Sequence, residues 1–475
     1  MNPIGRVAKN TLVRTVAEIL NVALSAVFII YIARHLGNAN FGRYSFAISF
    51  AGLFVIFTDV GLHTIFIREV AKENRRAGKL LGNLLIIKSI LALFTFSILF
   101  ITINLMNYPL ETKRLVYIMG IFVIGTSFLD LFNSVFRAFE QMEYEALIMF
   151  LNRSAIVTAG IFTLYLGFGL EGFAIAILAS NLLTLIPCSL LAFKRFSIPV
   201  LEIDIVIWGY FFKESIPIGL MTLFTTIYLK AGTVILSILK DDTAVGLYSA
   251  PHRLIEALII FPTLFLAALF PVFTKFHRSS RDSLLKAYES SFKFLLILAL
   301  PMAVVTTTLA DKLTVIIFGR EFIDSAIVLS ILIWASLFIF LNTLLSYLII
   351  AMGRQKLNTI SFGVSALANV ILNTVLIPSY SYIGASIALV ASQVILFTLN
   401  FTFVSFGLVR LPLHRVVLKP ILGSLFLGGV VWYIKEVNLL LLIFASSILY
   451  FVIMILLKTF SREEILAAKD LVKLR

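Results

Sequence analysis

The sequence predicts an all-α, polytopic membrane protein of about fourteen transmembrane helices, and three observations carry that prediction. Fourteen apolar stretches, each long enough to cross a bilayer, fill almost all of the 475 residues. The chain is 60% hydrophobic with a mean hydropathy of +1.04, against roughly 45–50% apolar content in a soluble domain. It also repeats itself, six spans after six. A spanning helix needs about 20 mostly apolar residues. Backbone cannot stay unbonded in hydrocarbon, and these runs are far too long for barrel strands, so they are read as helices.

The first span, 11–33, is retained, because MNPIGRVAKN lacks a cleavable signal with a small-residue exit. Arg14, Glu18, Asn21 and Ser25 recur along it at helical spacing and make a polar stripe. Span 2 covers 44–66, with Ser49, Gly52, Asp59 and His63 as its stripe. Spans 3 to 6 cover 80–105, 115–138, 146–168 and 172–193. They carry Lys88, the inner-end pair Asp130 and Arg137, Arg153 beside Asn152, and Cys188. Span 7, 214–238, has Thr222, Thr226, Lys230, Thr233 and Ser237 along one face. Span 8, 244–272, has Ser249, Arg253 and Glu256, with Pro262 and Pro271 expected to bend it. Spans 9 to 14 cover 284–309, 327–350, 357–377, 382–406, 415–434 and 438–457. Ser461-Arg462-Glu463-Glu464 reads as a capping box opening a short surface helix through Arg475.

The net charge of +14 follows topology rather than a nucleic-acid partner. With the N-terminus inside, 26 of the 39 lysines and arginines fall in inner segments and 8 in outer loops. The remaining 5, Lys88, Arg153, Lys230, Arg253 and Lys293, lie within spans. That asymmetry is the positive-inside rule with both termini cytoplasmic. Cys188 is the single cysteine, so one chain can form neither a disulfide nor a thiolate metal site. No cofactor and no metal site is read from the sequence.

The repeat is visible in four places. Phe41-Gly42-Arg43-Tyr44-Ser45 opens span 2 and Val245-Gly246-Leu247-Tyr248-Ser249 opens span 8, 204 positions later. Lys88 and Lys293 match at an offset of 205. Phe128-Leu129-Asp130 and Phe340-Leu341-Asn342 match at 212, as do Gly172-Phe173-Ala174-Ile175-Ala176 and Gly384-Ala385-Ser386-Ile387-Ala388. An even number of helices per repeat makes both enter from the same side, so their axis runs along the membrane normal. The division expected is one six-helix lobe over 1–200, a second over 201–410, and two extra helices with a cytoplasmic tail over 411–475. Gly42 and Gly246 relieve steric limits where the chain returns to the membrane, and Tyr44 and Tyr248 suit the interfacial belt. The Gly-Ala-Ser stretches permit close helix packing.

These repeat motifs also resemble a known family. Ala33-Arg34-His35-Leu36-Gly37 running into Phe41-Gly42-Arg43-Tyr44-Ser45 is similar to the first loop of the polysaccharide transporter family. That family, within the multidrug/oligosaccharidyl-lipid/polysaccharide superfamily, contains flippases of lipid-linked O-antigen and other oligosaccharides. Asp59-Val60-Gly61-Leu62 with Ile67-Arg68-Glu69, Ile216-Pro217-Ile218-Gly219, and Gly246-Leu247-Tyr248-Ser249-Ala250 with Arg253-Leu254-Ile255-Glu256 fit as well. So does Ile377-Pro378 before Gly384-Ala385. The resemblance covers roughly residues 1–410. It implies a multi-pass flippase of the cell membrane that carries a lipid-linked oligosaccharide on a polyprenyl or dolichyl phosphate or pyrophosphate. The implied partners are that glycolipid, membrane lipid and proteins of polysaccharide assembly; a coupling ion, H⁺ or Na⁺, is left open.

An ionisable group near mid-bilayer is costly unless it pairs or faces water, so it marks a functional site by default. Nine residues are candidates for the substrate cavity on that ground: Arg14, Glu18, Asp59, Lys88, Arg153, Lys230, Arg253, Glu256 and Lys293. Each has a structural alternative. Arg14 and Lys230 lie near enough to span ends to snorkel, Arg253 has Glu256 or Asp59 to pair with, and each lysine of the 88/293 pair can be tied within its own lobe. His63 is a lone histidine for which a proton-relay role is the minor reading. Deep bases outnumber deep acids, and such a bias favours an anion. No G-x-x-x-x-G-K-[ST] phosphate loop is present, which excludes ATP hydrolysis of that kind. A cation exporter of the same superfamily would want an acid-dominated cavity. A membrane glycosyltransferase or ligase would need catalytic groups on a substantial outer loop, whereas the outer loops read here are short, with Asp241-Asp242 as a single acid pair. No catalytic residue is assigned.

Overall fold

The structure is a computed structural model, and it describes residues 3–407, 411 and 413–459. The tail capping box at 461–464 lies outside the described residues. Among them there are fifteen α-helices, α1 to α15, three short 3-10 turns and no strands. Two of the fifteen hold two spans each, because non-helical residues break them. In α1 (Pro3–Phe54) the break is Gly37, and in α13 (Gln355–Gly407) it is Ser381. Eleven helical stretches are long and apolar enough to cross a membrane, and Leu441–Leu456 is a shorter apolar helix. Counting the two broken helices twice recovers the fourteen spans.

The chain separates into two compact units. Residues 1–257 with 362–388 form one, and 258–361 with 389–475 form the other. In the first unit, α2 (Leu62–Lys72), α3 (Ala77–Leu105), α4 (Leu110–Ala138), α5 (Met142–Tyr165), α6 (Gly169–Arg195) and α7 (Ile205–Leu239) accompany α1 and α8 (Asp242–Leu258). Its core joins Ile65 and Phe66 of α2, Leu81 and Leu84 of α3, Phe132 and Phe136 of α4, Cys188 of α6 and Phe211 of α7. In the second unit α9 (Ile260–Ser279), α10 (Arg281–Thr308) and α12 (Ser325–Ala351) share a core of Phe273, Leu295, Leu344 and Leu348. The last helices, α14 (Leu413–Tyr433) and α15 (Leu439–Leu456), place Leu427, Val431, Tyr450 and Met454 against Ile297 and Leu309. Hydrocarbon offers no hydrophobic drive to bring helices together, so this contact is dispersion and shape.

Three departures from the sequence expectation have local causes. Span 2 is not one helix: α1 ends at Phe54, Val55–Thr58 is a 3-10 turn, and α2 restarts at Leu62. Gly61 sits at φ +90°, a conformation that favours glycine, and Asp59 is non-helical at φ −149° and ψ 65°, so the stripe Ser49, Gly52, Asp59, His63 is cut in two. Span 8 also breaks, between Leu258 and Ile260, one helical turn before Pro262. A proline ring clashes with the carbonyl four residues back, which here belongs to Leu258. Pro271 stays inside α9. The connection after α10, expected to be loop, contains a short helix, α11 (Ala310–Phe318), and a 3-10 turn over Arg320–Phe322.

The segment between α6 and α7 is laid along α3. A Cβ added at Gly78 or Gly82 would run into the carbonyls of Ile198 and Val200, and Val200 donates its N–H to the Gly78 carbonyl at 3.0 Å. Asn83 Oδ1 accepts from the Asp204 backbone N–H and from Trp208 Nε1, both at 2.9 Å. Asp204 caps α7 through the N–H groups of Val206 and Ile207 and meets Lys79 Nζ at 2.8 Å. The Lys79 ammonium, helped by those N–H groups, holds the Asp204 carboxyl below the usual carboxylate range.

Candidate functional site

The break in span 2 carries the first charged cluster. Asp59 Oδ2 accepts from Lys88 Nζ of α3 at 2.7 Å and lies 3.1 Å from Nδ1 of His63, the second residue of α2. The Lys88 side chain is 1% exposed, and its ammonium also stands 5.9 Å from the centre of the Phe128 ring. A fully buried ammonium needs such a partner. Lys88 therefore turns to the interior of its own unit and is tied to an acid there. Lys293, its repeat mate, is partly buried and donates to the Thr459 carbonyl at 3.2 Å.

The second cluster is centred on Glu256. Its Oε1 accepts from Lys230 Nζ at 2.9 Å and its Oε2 from Arg253 Nη1 at 2.8 Å, one turn earlier on α8. His252 Nδ1 is 3.9 Å away. Arg253 is therefore paired with Glu256 and not with Asp59. Arg253 and Glu256 face a cavity of about 410 Å³, whose lining also includes Ser25, Phe28 and Tyr44 of α1, Thr126 of α4, and Asn152 and Arg153 of α5. Arg153 faces Tyr44 there rather than a carboxylate. The buried Oδ1 of Asn152 has no hydrogen-bond partner. The cavity lining thus holds two cations, Arg153 and Arg253, against one carboxylate, to which Lys230 is also bound.

Of the nine candidates, Arg153, Arg253 and Glu256 line one cavity, and Lys230 pairs with Glu256 without lining it. Asp59 and Lys88 form a separate pair, and Lys293 lies in the other unit. Arg14 is exposed and Glu18 half-buried on α1; neither lines the cavity, and both fall within electrostatic reach of Glu145. Arg137 does serve the turn between α4 and α5, through its contact with Glu145 at 3.1 Å. Thr222 and Thr226 return their hydroxyls to the carbonyls of Ile218 and Thr222. Among the described residues no group of three or more His, Cys, Asp or Glu side chains is placed to hold a metal.

The interfacial reading of the tyrosines is corrected. Tyr248 is buried and stacked on His252, with ring centres 5.3 Å apart, and Tyr44 lines the cavity. The cause is the close crossing at Gly42 and Gly246: a Cβ at either would strike backbone of the other helix, so the neighbouring tyrosines are carried inward. Tyr44, Asn152, Thr126 and His252 were not singled out from the sequence as lining or cluster residues. The polar neighbour Asn152 beside Arg153 was the one available signal.

The family model described as "Polysaccharide biosynthesis protein" matches residues 7–277, more than half of the chain. The chain belongs to the polysaccharide biosynthesis protein family. The uncharacterized membrane protein MJ1068 of Methanocaldococcus jannaschii is 26% identical over 193 residues, 40% of this chain and 38% of that protein. The match to that relative thus spans well under half of either chain. The probable low-salt glycan biosynthesis flippase Agl15 of Haloferax volcanii is 22% identical over 395 residues, 80% of each chain. Among solved structures, the lipid II flippase MurJ in an inward closed conformation superposes with a TM-score of 0.80 at 16% identity, over 94% of this chain and 99% of that one. At that identity the likeness shows the fold alone. Five of the nine candidates, Asp59, Lys88, Lys230, Arg253 and Glu256, are paired within the residues that the family model matches.

Proposed function

We propose that this protein moves a lipid-linked oligosaccharide, a polysaccharide precursor on a polyprenyl or dolichyl phosphate or pyrophosphate, across the cell membrane by alternating access. The observation that carries this reading is the charge of the cavity. Arg153 and Arg253 line it with a single carboxylate, that of Glu256, which Lys230 also holds. An anion entering such a site is attracted over several ångströms, because the low-dielectric walls screen little. A phosphate or pyrophosphate head group is the anion such a lipid carries. The cavity volume falls within the usual range for a ligand site, roughly 300–1,000 Å³. Membership of the family and likeness to a flippase named for glycan biosynthesis support the same substrate class.

The protein acts in this reading as a secondary transporter that leaves its substrate chemically unchanged. The two repeats, 1–200 and 201–410, are the lobes, the helices after 411 an appendage, and both termini are cytoplasmic. A coupling ion, H⁺ or Na⁺, would drive the cycle. Reconstituted in proteoliposomes, the protein is expected to make a labelled glycolipid accessible to an enzyme added outside, faster than lipid-only vesicles do. No acceleration for phosphate- and pyrophosphate-linked substrates alike, with efflux of organic cations instead, would replace this reading by that of a cation exporter. For the orientation, Asn74→Cys in a Cys188→Ala background should be labelled only from inside the cell, and Lys435→Cys only from outside. The reverse pattern would invert the topology.

A further inference from the structure

Three acids inside the first unit each have a base in contact. Asp59 meets Lys88 at 2.7 Å, Glu145 meets Arg137 at 3.1 Å, and Glu256 meets Arg253 at 2.8 Å. Asp130 has no such partner. Among the described residues no ion pair and no hydrogen bond reaches its carboxylate. It lies about 12 Å before the end of α4 at Ala138, with Leu129 and Leu131 buried on either side. Its own side chain is exposed. An ionisable group at that depth in a span is tolerated only where it faces water or gives up its charge.

The charged groups around Asp130 are Asp59 at the end of the 3-10 turn, His63 of α2, Lys88 of α3 and Arg137 of α4. Glu145 of α5 and Cys188 of α6 also fall within its electrostatic reach. Arg137 is balanced by Glu145, and Lys88 by Asp59. With His63 and the Cys188 thiol neutral, one negative charge is left over, and it belongs to Asp130. A single proton cancels it. The second repeat answers with a neutral side chain: at the offset of 212, Asn342 is buried and donates to Gln393 Oε1 at 2.9 Å.

We infer that Asp130 is the proton-binding site of the transport cycle, which makes H⁺ the coupling ion at one proton per cycle. The carboxylate takes a proton from one side of the membrane, becomes a neutral carboxylic acid, and releases that proton to the other side. The charge on Asp130 decides how firmly Asp59 holds Lys88. An ionised Asp130 competes for that ammonium, and a protonated one does not. His63 Nδ1 meets the same Asp59 oxygen at 3.1 Å, so Asp59 keeps a partner when Lys88 turns away. The equilibrium biased in this way is at the break in span 2, where the 3-10 turn and Gly61 already interrupt the helix. Protons moving inward are thereby exchanged for head groups moving outward.

The cycle rests on the transport reading, but the site itself is tested with no substrate present. In lipid-reconstituted protein, pH-difference infrared spectra are expected to show the C=O stretch of one protonated carboxylic acid. Asp130→Asn should abolish that band, and His63→Gln should keep it. Asp130→Glu should keep the band but shift its frequency, and it decides the matter if Asp130→Asn fails to fold. A band untouched by either Asp130 variant overturns the site. In proteoliposomes, the membrane potential is clamped with potassium and valinomycin, and the outside is made one pH unit more acidic. A fluorescent polyprenyl diphosphate oligosaccharide should then be enriched about tenfold in the outer leaflet, the equivalent of one proton per molecule. Asp130→Asn should leave the two leaflets equal, and Asp130→Glu should restore enrichment. Enrichment that follows a sodium gradient and ignores the pH gradient overturns proton coupling. An infrared band lost in Asp130→Asn, in a parent protein that moves no glycolipid, keeps the proton site and removes the transport reading instead.

Discussion

Lys88→Met is expected to destabilise the protein by about 3–5 kcal/mol, the usual consequence of stripping one partner from a buried ion pair. Asp59 would then keep its charge at the helix break with only His63 to answer it. Asp59→Asn alone should be as costly, because the ammonium of Lys88 is left 1% exposed with only an amide in reach. The double variant, Lys88→Met with Asp59→Asn, should recover most of the loss, since no charge remains to be buried. Thermal unfolding in detergent of the three variants measures this. If the double variant is the sum of the singles, the pair is not coupled and the 2.7 Å contact does not hold the break in span 2.

Arg153→Gln should instead leave unfolding unchanged and lower glycolipid translocation roughly 10- to 150-fold, the worth of one hydrogen bond to a charged group. Arg153 faces Tyr44 and the cavity, so no carboxylate is orphaned when its charge is removed. Arg153→Lys should retain part of the activity, because the charge persists without the planar fork. Arg253→Gln is expected to behave differently, reducing both stability and transport, since Arg253 also holds Glu256. Initial rates in proteoliposomes with matched protein content distinguish the two. An Arg153→Gln variant that transports at the parent rate would remove α5 from the substrate site.

The span pattern was legible because apolar length is a local property, and the helices fall where the runs do. The Arg253–Glu256 pair was also legible, as three residues on one helix share a face. The Lys230–Glu256 and Lys88–Asp59 pairs were not, for they join helices whose packing partners hydropathy does not name. Asp59-Val60-Gly61 carried its own signal: a glycine inside an apolar run can mark a break, and here it does. Tyr44 and Tyr248 were misplaced because an interfacial position along the helix says nothing about its rotation. That rotation is set by Gly42 and Gly246 meeting backbone.

The strap between α6 and α7 also has a consequence for biosynthesis. Asp204 reaches Asn83 across 121 residues of chain, which takes roughly 6–24 s to synthesise. Until residues 198–208 emerge, the notch at Gly78 and Gly82 is bare and the amide of Asn83 lacks both N–H donors. The third helix is thus inserted early but completed late, and the nascent protein passes through a stage in which six helices are present and one still awaits its cover. Membrane chaperones and proteases would meet the chain in that interval.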